Sequence, residues 1–432
     1  MTVRTEPRPT PGARTGDLPV LAVAYDVTSS SPLELVDALA GRCDLVWVVE
    51  AADPALGAWA RLLPRLGPVV DATDRPESDV ARDLGVLGVD GVVAFTDSQL
   101  LRAARLSESL GLEGNRPRTV LALTDKLVQR QTLADAGLPG PRFVVVPADA
   151  PVADLPGLLA GLDFPVVVKP RWGSGSRDTV EVADPATAVG YLRGGLGGHD
   201  PGDLLVEEKL PDLGPSGSAD FADYVSVEAV AAGGLVVPLA VTGKFPLAPP
   251  CRETGNFLPH HLTASAARKV EALAVRGAEA LGVTSGALHI EVMLTPDGPR
   301  IIEVNGRIGG GGIDTLYATV HGRSLTAIAA AVAVGEHPDP GTPGTVDDGY
   351  AYTYFVQAPA RATRLDGLDG LDRLQALDGV VATSVNRNVG DALDWRDGSQ
   401  GYLVSVRGRA SGLEELGRVP DRVAGSLSIS WR

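Results

Sequence analysis

The chain has 432 residues, a formal net charge of −16, and 44% hydrophobic against 21% charged residues. That length allows two or three domains with a large core, and the acidic balance argues against nucleic acid as a partner, since such binders carry a basic footprint. No apolar run approaches membrane-spanning length, so no membrane partner is expected. The only cysteines, Cys43 and Cys251, form no metal-binding spacing, and reduced thiols in a cytoplasmic protein are expected.

Residues 1–17 lack the hydrophobic stretch of a signal peptide and read as a disordered tail. Residues 18–117 alternate apolar strand-like runs (LPVLAVAYDV, DLVWVVE, LGPVVDAT, DGVVAFT) with helix-like segments such as SPLELVDALAGRC, where Ser31 and Pro32 supply cap and first position. This alternation predicts a doubly wound parallel sheet. The turn after its first strand, AYDVTSSSP, contains no glycine, which argues against a dinucleotide site of the G-x-G-x-x-G type.

From residue 118 the pattern changes to mixed α+β. TVLALTDKLVQRQTLADAGLPGP predicts one helix over Thr119 to Ala136, closed by Gly137. RFVVVP is a strand, VADLPGLLAGL a helix, and FPVVVKPRWGSGSRDTVEV a strand, a glycine-serine loop and a strand. A helix at 185–196 and the strand DLLVEEKL follow, then a turn-rich segment at 211–223 that reads as a mobile loop. YVSVEAVAAGGLVVPLAVTGKFPL predicts a hairpin around Gly233 and Gly234. Helices are expected at 268–283 and 325–335, a Pro/Gly/Asp-rich connection at 336–349, and mostly strands from Tyr350, with short helices at 370–377 and near 412–425. The domain boundaries expected are 18–117, 118–210, 211–345 and 346–432.

Residues 286–312, GALHIEVMLTPDGPRIIEVNGRIGGGG, form the most informative stretch. Two strand-like runs, Ala287 to Leu294 and Arg300 to Asn305, flank Pro296-Asp297-Gly298, which reads as a three-residue hairpin loop with Gly298 at the left-handed position. That loop pairs Leu294 with Arg300 and places Glu291 opposite Glu303. His289, Asn305 and Arg307 share their face, while Ile290, Val292, Ile302 and Val304 point the other way. Two carboxylates directly across a sheet cost up to about 1 kcal/mol, which a divalent cation would offset. The all-oxygen set Glu291, Glu303 and Asn305 suits Mg²⁺ or Mn²⁺ rather than zinc. A solvated hairpin face with scattered charge is the alternative reading. Gly309 to Gly312 suggest close approach of backbone to a ligand, or a flexible turn.

Only five of the 38 basic residues are lysines: Lys126, Lys169, Lys209, Lys244 and Lys269. In a chain that uses arginine by default, each marks a position where a compact point charge is wanted. Several pieces then occur in order: a lysine early in a helix (TDK, Lys126), a lysine at a strand end (VVVKP, Lys169), a small-residue loop, an acidic strand end (LLVEEKL), and Glu291 followed by Glu303-x-Asn305-x-Arg307. In this order, residues 119–312 resemble the ATP-grasp superfamily, in which an α/β domain precedes two α+β subdomains that hold ATP between them.

The resemblance implies a role for each piece. Lys126 and Lys169 would contact the phosphates of ATP, and Ser174, Gly175 and Ser176 would fold over the triphosphate. Glu207 would accept from the adenine amino group, with the backbone of Glu208, Lys209 and Leu210 completing that contact and Asp223 binding the ribose. Glu291, Glu303 and Asn305 would hold Mg²⁺, with Mn²⁺ as the substitute, and Arg307 would steady the transferred phosphoryl group. His289 reads as a neighbour of the metal site, not a ligand. Within the superfamily the chain is most similar to L-amino acid ligases and related carboxylate-amine ligases, on its domain order, its β-rich C-terminal part and CRETGNFLP at 251–259. Glu253 would there meet the amino group of the amino acid being activated. Asn256 stands where a histidine is common, which points to a different substrate choice. The implied activity is ATP-dependent amide formation between small-molecule acid and amine substrates, and a homodimer is the assembly the family suggests. A biotin-carboxylase-like enzyme and a nucleotide-binding regulator without catalysis are the alternatives.

Overall fold

A computed structural model describes residues 18–28, 30–194, 202–214, 217–337 and 349–432. The tail expected at 1–17 and most of the connection expected at 336–349 lie outside the described residues.

The N-terminal part follows its sequence pattern. Strands β1 (Val20–Ala24), β2 (Asp44–Val49), β3 (Val69–Asp71) and β4 (Gly91–Ala94) form a parallel sheet in the order β3-β2-β1-β4. The intervening helices are α1 (Pro32–Leu39), α2 (Trp59–Leu66), α3 (Glu77–Val86) and α4 (Asp97–Leu110). Ser31 and Glu34 close a reciprocal capping box on α1, so the Ser-Pro signal marks a true helix start. One sheet face packs Ala22, Val46 and Val48 against Val80, Leu84 and Ala103. The other packs Leu21, Val23 and Trp47 against Leu35 and Leu39 and, from far along the chain, Ala327, Ala330 and Ala333. A Cβ at Gly91 would fall 2.3 Å from the Ala333 carbonyl oxygen, so glycine there permits the contact.

The single helix expected over Thr119 to Ala136 is two helices, α5 (Pro117–Thr124) and α6 (Lys126–Asp135). Asp125 breaks the run. Its backbone is extended (φ −98°, ψ 106°) and its carboxylate accepts from the amides of Leu127 and Val128, an N-cap that aspartate favours over helix interior. Arg171 holds the same carboxylate at 2.6 Å. Lys126 is therefore the first residue of α6. Strands β5 (Phe143–Val146), β6 (Val166–Pro170), β7 (Val180–Val182) and β8 (Leu204–Glu208) form an antiparallel sheet in the order β5-β8-β6-β7. Helices α7 (Leu155–Leu159) and α8 (Pro185–Gly194) accompany it, and Leu155, Leu159 and Ala188 join Val166, Val168 and Val206 in its core.

The largest layer is an eight-stranded sheet. Strands β9 (Tyr224–Ala232) and β10 (Leu235–Lys244) meet at Gly233 and Gly234, both with positive φ as a tight hairpin turn requires. Next come β11 (Gly255–Leu258), α9 (Ala264–Ala280), β12 (Gly286–Thr295), β13 (Gly298–Asn305), α10 (Ile313–His321), α11 (Leu325–Ala333), β14 (Tyr350–Val356), β15 (Leu365–Asp369), β16 (Val380–Val385), β17 (Val404–Ala410) and β18 (Ser428–Trp431). The sheet order is β13-β12-β9-β10-β11-β14-β17-β16, with β15 and β18 a separate pair. The sheet thus runs through the boundary expected at 346, because β14 pairs with β11. On one face Val270, Leu273, Ala274 and Ala278 of α9 bury Val225, Val227, Ile290, Val292, Ile301 and Val304. Among the described residues no helix is long and apolar enough to cross a membrane.

The hairpin of β12 and β13 reaches its expected pairing by a different route. Its turn is tighter than expected: Thr295 pairs with Gly298, leaving only Pro296 and Asp297 in the loop, so Met293, not Leu294, faces Arg300. The ladder then slips between Glu291 and Val292. Val292 faces Ile301, Ile302 is passed over as a β-bulge, and Glu291 faces Glu303. Ile301, 1% exposed, therefore takes the core position expected for Ile302.

Candidate active site

The face of the eight-stranded sheet away from α9 carries the polar residues. Cross-strand pairing lines up Glu303, Glu291, Ser226 and Thr242 in one row, and Asn305, His289 and Glu228 in the next. Lys244, Asn256 and Thr353 continue the face across β10, β11 and β14. Ser226, Glu228, Lys244 and Asn256 are almost fully buried. Sequence reading missed Glu228, Ser226 and Lys244 as members of this face. For Ser226 and Glu228 the signal was the alternation of Tyr224, Ser226 and Glu228 between apolar residues in YVSVEAV, and for Lys244 its place among only five lysines.

Buried charge here is paired, as low dielectric demands. Glu228 accepts from Ser226 Oγ at 2.8 Å and Thr242 Oγ1 at 3.1 Å, and lies 2.9 Å from His289 Nδ1. His289 Nε2 is 3.5 Å from Glu291. Burial alone would lower the histidine's pKa, but Glu228 and then Glu291 outweigh it and raise it to about 9. Burial pushes the Glu291 carboxyl up, and His289 brings it below its usual range. Glu303 is paired with Lys126 Nζ at 3.1 Å. Asn305 donates from Nδ2 to the His289 carbonyl at 3.3 Å, which leaves its Oδ1 facing no protein donor among the described residues. Among the described residues no three acidic, histidine or cysteine side chains are arranged so that they alone could hold a metal ion. A divalent ion would therefore rest on two opposed glutamates, an amide oxygen and the ligand it accompanies, a hard all-oxygen set that fits Mg²⁺.

A second buried cluster lies at the strand ends of the small sheet. Glu207, 5% exposed, takes Arg130 Nε at 2.5 Å on one oxygen, and Arg130 Nη2 at 3.1 Å and Lys169 Nζ at 2.8 Å on the other. Both carboxylate oxygens that adenine was expected to share are thus committed to cations. Burial lowers the pKa of Lys169, and Glu207 opposes this. Glu208 accepts from the Asp163 amide and pairs with Arg142, while Lys209 pairs with Glu181 at 3.0 Å. The backbone N–H groups of Glu208 and Lys209 bond to Arg142 and Pro165 carbonyls. Asp223 accepts from the Leu213 amide at 3.0 Å, a contact that folds its own loop.

The remaining candidates are drawn together from distant parts of the chain. Arg307 donates from Nε to Asp97 of α4 at 2.8 Å and from Nη1 to the Ile308 carbonyl, and Asp97 offsets the burial that would lower the arginine's pKa. Glu253 pairs with Lys244 at 3.0 Å, and the Tyr224 hydroxyl lies 3.4 Å from the same oxygen. The loop bearing Ser174, Gly175 and Ser176 is pinned from two sides: Lys126 Nζ donates to the Gly173 carbonyl, and the Ser399 amide donates to the Gly175 carbonyl at 2.8 Å. Ser399 also accepts the Glu253 amide on Oγ at 3.0 Å, linking this loop to the segment that carries Glu253. The glycine run is mainly a packing device. A Cβ at Gly309 would lie 2.5 Å from His289 Nδ1, one at Gly311 2.6 Å from Asn256 Nδ2 and one at Gly312 3.1 Å from Thr353 Oγ1, whereas only Gly310 faces open space. Asp97, Arg130 and Ser399 had no sequence signal as site residues.

No family model matches the sequence. It is 25% identical over 350 residues to an L-arginine-specific L-amino acid ligase of Bacillus subtilis, covering 80% of this chain and 81% of that protein. Among solved structures, an L-amino acid ligase from Bacillus licheniformis superposes with a TM-score of 0.74 at 21% identity, covering 96% of this chain and 99% of that one. A carboxyaminoimidazole ribonucleotide synthase from Aspergillus clavatus, complexed with ATP, superposes with a TM-score of 0.69 at 14% identity over 95% and 99% of the two chains.

Proposed function

We infer that this chain, which has the ATP-grasp fold, is an ATP-dependent ligase that joins a carboxylate to an amine through an acyl phosphate. Amino acids or close analogues are the substrates this reading favours, on the likeness to an L-amino acid ligase. The observation that carries the reading is the pairing of Glu291 with Glu303 on a face that also presents Asn305, with Lys126 at 3.1 Å from Glu303. A regulator without catalysis would have no need to keep this set together with Lys169 and Arg307.

In this reading the acid's carboxylate oxygen attacks the γ-phosphorus of ATP, forming the acyl phosphate and releasing ADP. The amine then attacks the acyl carbon; the C–N bond forms as the bond to phosphate oxygen breaks, and the surplus proton leaves with phosphate or solvent. Glu291, Glu303 and Asn305 would hold magnesium, or manganese, which when bound would supply charge neutralisation on the phosphates. Lys126 and Lys169 meet the phosphates as point charges, each already oriented by a carboxylate, Glu303 and Glu207. Glu207 serves by holding Lys169, and adenine is read by the backbone of Glu208 to Leu210. Ser174 to Ser176 cover the triphosphate, and Asp223, immediately before β9, is the carboxylate assigned to the ribose hydroxyls. Arg307 stabilises charge on the phosphoryl group in flight, fixed by Asp97. Glu253, oriented by Lys244, receives the ammonium of the activated amino acid. Asn256, donating to the Gly311 carbonyl at 3.1 Å, shapes the wall beside it.

The test is a screen of amino acid pairs with MgATP, read by phosphate release and mass spectrometry of products. ADP, phosphate and an amide should form together. Absence of ADP with every pair would favour the non-catalytic regulator.

A further inference from the structure

We propose that Arg130, assisted by Gln129, is the positioning residue that sets the register of the metal-binding hairpin. It would do so by clasping the free edge of β13 at its bulge, and would tie that register to Lys169. The proposal rests on the reading of Glu291 and Glu303 as metal ligands.

The argument begins at the turn. With Thr295 paired to Gly298, an uninterrupted ladder would put Glu291 opposite Ile302 and Glu303 opposite Ile290. Strand side chains alternate, so that register would turn Glu303 onto the apolar face packed against α9. The bulge at Ile302 prevents this, and a bulge must have its displaced backbone groups satisfied.

β13 is the first strand of its sheet, so its outer edge has no strand partner among the described residues. Two adjacent, buried side chains of α6 occupy that edge instead. Arg130 donates from Nη1 to the Ile301 carbonyl at 3.1 Å and from Nη2 to the Ile302 carbonyl at 2.5 Å, the two carbonyls at the slip. Gln129 accepts the Val304 amide on Oε1 at 2.8 Å and donates from Nε2 to the Val304 carbonyl at 2.9 Å, the bonds a neighbouring strand would make. The other side of the Arg130 guanidinium is bound to Glu207, which holds Lys169. Lys126 begins the same helix, one turn before Arg130. One helix therefore fixes a lysine, the bulge that aims Glu303, and the anchor of the second lysine. Arg130 makes four hydrogen bonds from three nitrogens fixed in one plane, more than the three donors of a lysine ammonium can supply, so lysine is not a substitute for arginine here.

The experiment is Mn²⁺ titration of full-length protein in the presence of ADP, following the electron paramagnetic resonance signal of free Mn²⁺. Arg130→Lys, folded by circular dichroism, is expected to weaken Mn²⁺ binding at least tenfold, and by a larger factor than it weakens ADP binding measured in EDTA. Mn²⁺ affinity within twofold of wild type in that variant would overturn the proposal. Should Arg130→Lys fail to fold, Gln129→Met decides: weakening of threefold or more supports the clasp, and unchanged binding overturns it. Glu303→Ala separates the two readings. If it binds Mn²⁺ like wild type, the metal assignment itself fails, whatever Arg130 does.

Discussion

At Glu207 two opposing effects meet. Burial would raise its carboxyl, but Arg130 and Lys169 win and bring it down to about 2 from an ordinary value of 4.5. A lowered carboxyl stabilises the fold above its unfolded pKa and loses that contribution as pH falls through the folded one. Stability should therefore decline between about pH 4.5 and pH 2. Glu207→Gln should flatten this acid branch, and at pH 7 it should cost about 3–5 kcal/mol by leaving two buried cations uncompensated. Melting temperatures of both proteins from pH 7 to pH 3 check this; equal slopes would contradict it. At this scale the sequence was informative where rarity helped. Lys126, Lys169 and the two glutamates stood out by type and spacing. Arg130 did not, being one arginine among many, and its partners Glu207 and Ile301 lie 77 and 171 residues away.

Among elements, the hairpin shows how a correct pairing can arise from a wrong turn. Hydrophobic alternation required both glutamates on one face, and that requirement is physical, because one slip buries a carboxylate. Turn length was not legible: Pro296-Asp297-Gly298 suits a three-residue loop equally well, and the compensating bulge depends on α6. The break between α5 and α6 had a local signal, Asp125 as the cap of α6 through the Leu127 and Val128 amides, which the apolar periodicity on both sides masked. Arg171 only adds a second anchor. The glycine-serine loop gives a prediction at this scale. Gly398, at φ +66°, would place a Cβ 2.2 Å from the Gly175 carbonyl oxygen. Gly398→Ala should undock the loop, raising KM for ATP about tenfold with a smaller change in kcat. A KM within twofold of wild type would show that the docking does not matter.

Across the whole molecule, the parts are joined more tightly than the sequence pattern implied. The parallel α/β domain and the α+β architecture were legible from periodicity. The continuous eight-stranded sheet was not, because the β11–β14 pairing joins segments about 100 residues apart. Nor was the grip of Asp97 on Arg307, across 210 residues. On the role proposed for Arg307, that grip would bring the N-terminal domain into the reaction. Asp97→Asn should lower kcat about tenfold and change KM for ATP less than threefold, because the loosened arginine acts on the transition state. Unchanged kcat by steady-state kinetics would remove the domain from the mechanism.

The most direct measurement is a product analysis of wild type and Glu303→Ala with MgATP and amino acid pairs. Wild type should yield the amide, ADP and phosphate in equal amounts, and Glu303→Ala none of the three at saturating ATP. AMP and pyrophosphate in place of ADP and phosphate, or near-normal turnover by Glu303→Ala, would contradict the account.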